Sequence, residues 1–175
     1  MLGLRRGTVR LDPHHPGWAD RFSEVKAGLL EATGLPAERI EHVGSTAVPD
    51  LPAKPILDVD LGMREADDLE ALVARLVEIG FIDRGTGEGG IGRLLVRESA
   101  PEVRTVHVHL IPHGSSWWRS DLAFRDALRE HPRLRERYAR LKADLTRRYP
   151  EDRKAYRNAK APFIREALRN LGLEG

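Results

Sequence analysis

The sequence of 175 residues contains no cysteine and no long hydrophobic run. Without cysteine, disulfides, thiolate zinc sites and cysteine nucleophiles are all excluded. The first residues, MLGLRRGTVRLD, lack the apolar core of a signal peptide, and no later run approaches the length of a membrane span. We therefore expect a cytoplasmic protein that does not enter a membrane, since a reducing compartment suits a chain without disulfides.

Several motifs of nucleotide binding and hydrolysis are also missing. The sequence has no Walker G-x-x-x-x-G-K-[ST], no G-x-S-x-G and no H-E-x-x-H. Gly85, Gly87 and Gly90 formally fit G-x-G-x-x-G, but IGRLLVRES follows them and has the composition of a strand. A dinucleotide site needs a helix there, because its N-terminus meets the pyrophosphate. The glycines are therefore interpreted as a hairpin loop.

The charge is nearly balanced, with a net of +2, but it is unevenly distributed. Residues 119–175 carry 16 Lys/Arg and 9 Asp/Glu, a net of +7, and residues 1–118 carry 13 and 18, a net of −5. An acidic N-terminal part and a basic C-terminal part could hold metal ions and an anionic ligand between them. The alternative is a set of arginine-rich helices with solvated faces.

The spacing of apolar residues predicts an α+β protein with a mixed sheet, flanking helices and a C-terminal helical segment. We predict one domain of 175 residues, with an α/β core over about 1–114 and a helical cap over about 115–175. Ser120 is expected to cap the first helix of that cap. Pro162 should bend or interrupt the last helix. Strands are expected at 7–12, 39–43, 55–63, 81–84, 91–99 and 103–111, and helices at 16–33, 65–80, 120–131, 132–149 and 151–172.

The stretch HVGSTAVPDLPAKPILDVDL, residues 42–61, carries two features that point to phosphate and metal chemistry. Gly44 permits a tight turn after a strand, and Ser45 with its neighbouring N–H groups can seat a phosphate. Asp58 and Asp60 face one side of an apolar strand, about 6.5–7 Å apart at Cα, so their carboxylates can converge on Mg²⁺. Without a cation the two carboxylates would repel each other. The alternatives are an ordinary turn and an edge strand that faces water.

The chain resembles the GrpB family, which is similar to the nucleotidyltransferases of the polymerase-beta type. The resemblance covers nearly the whole length: VRLDPHHPGWADRF, the stretch above, HVHL followed by GSSWW, FRDALREHP, YARLK, and the late Tyr156 and Lys160. It implies a nucleotidyltransferase-like core with an added helical segment. It also implies that Gly44 and Ser45 contact phosphate and that Asp58 and Asp60 bind Mg²⁺ or Mn²⁺. Some family members occur fused to dephospho-CoA kinase, which hints at nucleotide or coenzyme metabolism.

The main departure from the superfamily is at its third carboxylate, where the strand TVHVHL offers His107 and His109. Both histidines lie on one face of that strand, and an imidazole can act as a ligand or as a general base near neutral pH. Histidine suits softer divalent ions better than Mg²⁺. The alternative is a pair of histidines that only line a half-exposed strand.

Basic residues are the candidates for binding a triphosphate, because phosphoryl transfer depends on positioning and charge neutralisation. An ion pair between Arg125 and Asp126 and a solvated Lys54 are the alternatives. Tyr138 and Tyr156 fall on apolar stripes and are expected in the core, and Trp117 and Trp118 are expected to pack where the sheet meets the helices. The candidate phosphate-binding cations are Lys54, Arg125, Arg129, Lys142 and Lys160.

These observations lead to a main hypothesis and two others. The main one is a metal-dependent transferase that moves a nucleotidyl group from a nucleoside triphosphate to an acceptor, with Asp58, Asp60, His107 and His109 at its centre. The second is an inactive module that binds a nucleotide or coenzyme. Nucleic-acid binding is disfavoured, because the total charge is near neutral and no reading motif occurs. The acceptor, the base, the metal and the oligomeric state stay open.

Overall fold

A computed structural model describes residues 1–86, 90 and 92–173. It contains helices on both sides of a β-sheet. The helices are α1 (Gly17–Thr33), α2 (Leu69–Glu78), α3 (Ser116–Glu130), α4 (Pro132–Arg148) and α5 (Arg153–Asn170). The strands are β1 (Leu4–Arg5), β2 (Ile40–Val43), β3 (Leu57–Met63), β4 (Ile82–Thr86), β5 (Arg93–Ala100) and β6 (Val103–Pro112).

The sheet is mixed, with the strand order β2-β3-β6-β5-β4 and with β1 beside the start of β6. Strands β3 and β6 run parallel, and the other neighbours are antiparallel. The β3–β6 register places Asp58 beside His107 and Asp60 beside His109. Cα partners on adjacent strands point to the same face, so all four side chains lie on one side of the sheet. The predicted α+β class with a mixed sheet, flanking helices and a C-terminal helical segment is confirmed.

The opposite face of the sheet forms the main hydrophobic core. Alternation along β3 directs Leu57, Val59 and Leu61 to that side, where all three are fully buried. They belong to one apolar cluster with Leu29 of α1 and Leu76 of α2. Helices α1 and α2 therefore cover the apolar face, which leaves the aspartate face to the C-terminal helices.

Helix α3 lies over the aspartate face and is fastened to the edge strand β2. Arg125 Nη1 donates to Glu41 Oε2 at 2.7 Å and to the backbone oxygen of His42 at 3.0 Å. The register pairs Glu41 with Asp60, so this ion pair stands directly beside the buried aspartate. Helices α4 and α5 pack on α3, and Leu128 and Tyr138 form a second apolar cluster there.

Two details of the predicted secondary structure are wrong. The first strand is Leu4–Arg5, not 7–12, because the chain turns at Gly7 (φ +90°) and only Asp12 makes an isolated bridge, to Ala53. Helix α3 begins at Ser116 and not after Ser120, since the Ser115 side chain accepts a hydrogen bond from Trp118 N. Helix α5 continues through Pro162 without an interruption.

The glycine segment joins two strands that pair with each other. Strand β4 ends at Thr86, and β5, which begins at Arg93, pairs with it in the antiparallel sense. The hairpin interpretation agrees with that pairing, but Gly87 lies outside the described residues. In the part of the chain that the structure describes, no helix is both long and apolar enough to cross a membrane.

Candidate functional site

The turn after β2 brings the backbone of Gly44 against Asp58. Gly44 has φ +69° and ψ −169°, a conformation that essentially only glycine adopts without strain. A Cβ atom built on Gly44 would lie 2.9 Å from Asp58 Oδ2. Ser45 begins a short 3-10 turn that ends at Ala47. Because Gly44 has no side chain, the Ser45 turn can lie close to Asp58.

Asp58 lies beside two histidines of β6. His107 Nδ1 is 3.0 Å from Asp58 Oδ1, and His109 Nε2 is 3.8 Å from the same oxygen. The side chain of His107 is buried, whereas those of Asp58 and His109 keep about a third of their surface, 34% and 29%. Burial opposes ionisation of Asp58, but the hydrogen bonds of His107 and His109 outweigh it and hold the pKa of Asp58 well below its usual value.

The two histidines are affected differently by their surroundings. Burial lowers the pKa of His107 to about 4, although Asp58 opposes the shift. For His109, burial also acts to lower the pKa, but the attraction of Asp58, Asp60 and Asp121 is larger in sum and raises it. His109 is therefore the imidazole that more readily carries positive charge in the metal-free protein.

Asp60 is fully buried, and among the described residues no donor reaches either of its carboxylate oxygens. Asp60 has two acidic neighbours, Asp58 on the same strand and Asp121 on the first turns of α3. Burial, followed by repulsion from Asp121, raises the pKa of Asp60. Burial raises the pKa of Asp121 as well. The site therefore holds a third carboxylate, which was not predicted from the sequence because it comes from a helix and not from a strand.

Three lysines reach the same region from different elements. Burial lowers the pKa of Lys54 to about 7, and the charges of Arg153 and Lys160 act in the same direction. Lys142 is only 1% exposed, and its Nζ donates to the backbone oxygen of Pro52. Burial, with repulsion from Lys160 and Lys54, holds the pKa of Lys142 well below its usual value. Three lysine amines held this close together repel one another when they are protonated, so a bound anion would favour their charged forms.

These groups converge on one cavity between the aspartate face and helices α3–α5. It is lined by the Gly44–Ser45 turn, by Asp58, by Asp121 and by the lysines at 54, 142 and 160. A second opening, on the histidine side, shares Lys54, Asp58 and Lys160 with it and adds His107 and His109. The structure thus brings together most of the predicted site residues around Asp58, with Lys54 and Lys160 on both openings and the histidines on the second.

Two of the predicted phosphate-binding arginines are held by protein groups instead. Arg125 also donates to Asp126, at 2.7 Å from Nε, so all three of its nitrogens have protein acceptors. Arg129 donates to the backbone oxygen of Ala47 from Nε and Nη2, and it does not line the cavity. These contacts fasten α3 to β2 and to the Ser45 turn, and Arg125, unlike Arg129, also lines the cavity.

The aromatic residues of the cap form its packing, as predicted. Tyr138 and Tyr156 are 3% and 1% exposed and belong to apolar clusters. Lys142 Nζ lies 5.0 Å from the centre of the Tyr138 ring, and Lys160 Nζ lies 5.0 Å from that of Tyr156. Trp118 is buried at the start of α3 beside His113. The tyrosine rings therefore lie against the amino groups of Lys142 and Lys160.

The donor set around Asp58 fits a divalent cation. Asp58, His107 and His109 each offer one ligand atom, and these three atoms lie within 4.8 Å of one another. Asp60 is not part of this group, although its unpartnered buried oxygens would be satisfied by a nearby positive charge. The residues present at Asp58 therefore offer one oxygen and two nitrogen ligands to a divalent cation.

Comparison with known proteins gives consistent matches over most of the chain. The family model described as GrpB protein matches residues 8–170. Glutamate-rich protein GrpB of Alkalihalophilus pseudofirmus is 30% identical over 98% of this chain and 100% of its own length. A crystal structure of conserved protein GrpB from Enterococcus faecalis aligns with a TM-score of 0.78 and 29% identity, over 93% of this chain and 99% of that one.

The chain belongs to the GrpB family, as the sequence predicted. The α+β fold expected from that resemblance is shared with the solved GrpB structure, which aligns over nearly the whole chain. Dephospho-CoA kinase of Mycobacterium tuberculosis is also similar, with 29% identity over 94% of this chain. This chain spans 46% of that kinase, so the likeness concerns about half of the larger protein.

Proposed function

We propose that the protein binds a nucleoside triphosphate together with a divalent cation, and that it transfers the nucleotidyl group to an acceptor. The observation that carries this proposal is the convergence of the Gly44–Ser45 turn, Asp58 and three lysines on one cavity. Backbone N–H groups at a turn and ammonium groups are the donors that phosphate oxygens accept from.

The lysines and the turn would bind the triphosphate. Lys160 and Lys54 line both openings of the site, so they can contact phosphates on either side of Asp58. The Ser45 hydroxyl and the N–H groups after Gly44 would hold a phosphate beside the aspartate. These contacts orient the α-phosphorus and neutralise the charge that builds up on the leaving pyrophosphate.

The carboxylates would bind the cation and accept the proton of the attacking hydroxyl. Asp58, completed by His107 and His109, would hold the cation, which when bound neutralises phosphate charge. Asp121 lines the cavity beside Asp58, so it is placed to accept the proton of the attacking hydroxyl. The bond between the acceptor oxygen and the α-phosphorus forms as the bond to the pyrophosphate oxygen breaks.

Calorimetric titration with ATP, GTP and CTP in the presence of Mg²⁺ or Mn²⁺ tests the proposal. We expect one site per chain, weakened at least about tenfold in Lys160→Met, because one charged contact to phosphate is lost. Lys154→Met is the matched control, since Lys154 is exposed on the same helix. Absence of binding to the wild type, or equal binding to Lys160→Met and the wild type, would contradict the proposal.

A second candidate is a module that binds a nucleotide or coenzyme without transfer. The similarity to dephospho-CoA kinase favours it, because this chain corresponds to only part of that protein. Pyrophosphate release separates the two functions. Release that depends on an added acceptor and is lost in Asp58→Asn supports transfer, whereas binding without release from any triphosphate supports the module.

A further inference from the structure

We propose that Asp58, His107 and His109 form a binding site for one transition-metal ion such as Zn²⁺ or Co²⁺, in preference to Mg²⁺. The proposal deepens the proposed function, because it names the class of cation. It does not depend on nucleotide binding, since the three ligands all come from two neighbouring strands of the sheet.

The ligands are held in place by the strand register. Asp58 and His107 are direct partners across parallel strands, and His109 follows two residues later on the same face. Each ligand is therefore fixed by the sheet and not by a loop. Gly44 leaves room for the carboxylate of Asp58, since a Cβ atom at that position would lie 2.9 Å from Oδ2.

The distances between the ligand atoms already approach those of a metal site. A tetrahedral Zn²⁺ with ligands at about 2.0–2.2 Å separates its ligand atoms by about 3.4 Å. The nitrogens of His107 and His109 lie 3.0 Å and 3.8 Å from Asp58 Oδ1, and all three atoms fall within 4.8 Å. Small rotations of the side chains would bring them to one ion.

The chemistry of the donors selects the ion. Two imidazoles and one carboxylate form a donor set used for Zn²⁺ and for other transition metals, and three protein ligands leave a position open for a further ligand. Mg²⁺ prefers oxygen ligands in an octahedral arrangement and keeps several waters. A Mg²⁺ site would therefore be expected to rely on Asp60 and Asp121, whose side chains are not part of this group.

The other residues that line this opening indicate which kind of ligand would fill the open coordination position of the metal ion. Lys54 and Lys160 line this opening together with Arg153 and Arg157. The side chains of Lys54 and Lys160 beside a divalent ion favour an anionic fourth ligand, because an anion offsets the positive charge there. The site therefore suits a metal ion that carries a phosphate-like oxygen.

The experiment is a titration of chelator-treated protein with CoCl₂ in the absence of nucleotide, followed by its visible absorption spectrum. We expect one Co²⁺ per chain with d–d bands typical of nitrogen ligation in a four- or five-coordinate site. His109→Gln should weaken Co²⁺ at least about 100-fold, since loss of a second-shell partner alone costs 10–100-fold. Asp60→Asn should leave the affinity within about threefold.

His131→Gln is the matched control, because His131 is exposed at the start of α4, and its Co²⁺ affinity should equal that of the wild type. His109 is replaced rather than His107 because its side chain is partly exposed, so the fold tolerates its loss more easily than that of the buried His107. Far-UV circular dichroism verifies that the variant folds. Unchanged Co²⁺ affinity in His109→Gln, loss of Co²⁺ in Asp60→Asn, or tighter binding of Mg²⁺ than of Zn²⁺ would each overturn the proposal. Because no nucleotide is present, these results are separate from the triphosphate titrations above.

Discussion

Replacing Gly44 with alanine tests whether the turn after β2 sets the geometry of the site. The backbone at Gly44, with φ +69° and ψ −169°, lies in a region that costs a residue with a Cβ about 1–3 kcal/mol. The new methyl group would also lie 2.9 Å from Asp58 Oδ2, so either the turn or the carboxylate must move. Such overpacking costs about 1–3 kcal/mol more. We expect Gly44→Ala to lower the free energy of unfolding by about 3–4 kcal/mol.

The matched control is Gly34→Ala at the end of α1. Gly34 has nearly the same φ, +68°, but an added Cβ there meets no atom within 4 Å. Its cost is therefore the left-handed backbone alone, about 1–2 kcal/mol. Urea denaturation gives both free energies of unfolding. If Gly44→Ala is no more destabilising than Gly34→Ala, the contact of the new methyl group with Asp58 carries no cost and the prediction is wrong.

Three further substitutions test the charges of the site. Asp121→Asn should raise the free energy of unfolding of the metal-free protein by about 1–2 kcal/mol at pH 7.5, because it removes a repulsion and gives Asp60 a donor. The pKa of Lys54 is lowered to about 7 in the folded state, so the free energy of unfolding of the wild type rises as the pH rises from 7 towards 10. In Lys54→Met this rise should be smaller by roughly 2 kcal/mol. Arg125→Met should lower stability by about 3 kcal/mol, since it leaves Glu41 unpaired, yet change triphosphate affinity less than threefold.

Each of these predictions has a control on the surface. Asp144→Asn, Lys154→Met and Arg140→Met alter exposed groups, and each should change stability by no more than about 0.5 kcal/mol. Guanidinium denaturation measures all six variants. Destabilisation by Asp121→Asn, an unaltered pH profile in Lys54→Met, or a tenfold loss of triphosphate affinity in Arg125→Met would each contradict the corresponding assignment.

The residues that share one strand could be placed from the sequence. Alternation along β3 predicts that Asp58 and Asp60 face one side and that the intervening apolar residues face the core, and the structure has this arrangement. The same reasoning predicts that His107 and His109 share a face of β6. The alternation pattern does not reveal the register of β3 against β6, and this register places His107 beside Asp58.

The contributions of the helical cap could not be predicted in the same way. Asp121 lies 61 residues after Asp60 in the sequence, and no local pattern shows that α3 brings the two carboxylates together. Arg125 and Lys142 look alike as cations on amphipathic helices. In the structure both line the cavity, but Arg125 donates to Glu41 across the sheet edge, whereas Lys142 donates to the backbone oxygen of Pro52. The folding of the chain, and not the composition of each helix, decides which acceptor each cation meets.

A crystal structure with Co²⁺ and a non-hydrolysable nucleoside triphosphate would locate the cation and the phosphates together. We predict an anomalous peak within about 2.3 Å of ligand atoms from Asp58, His107 and His109. We also predict a phosphate against the Gly44–Ser45 turn within reach of Lys160. A triphosphate bound outside this cavity, or a cation held by Asp60 and Asp121 without the histidines, would contradict these predictions.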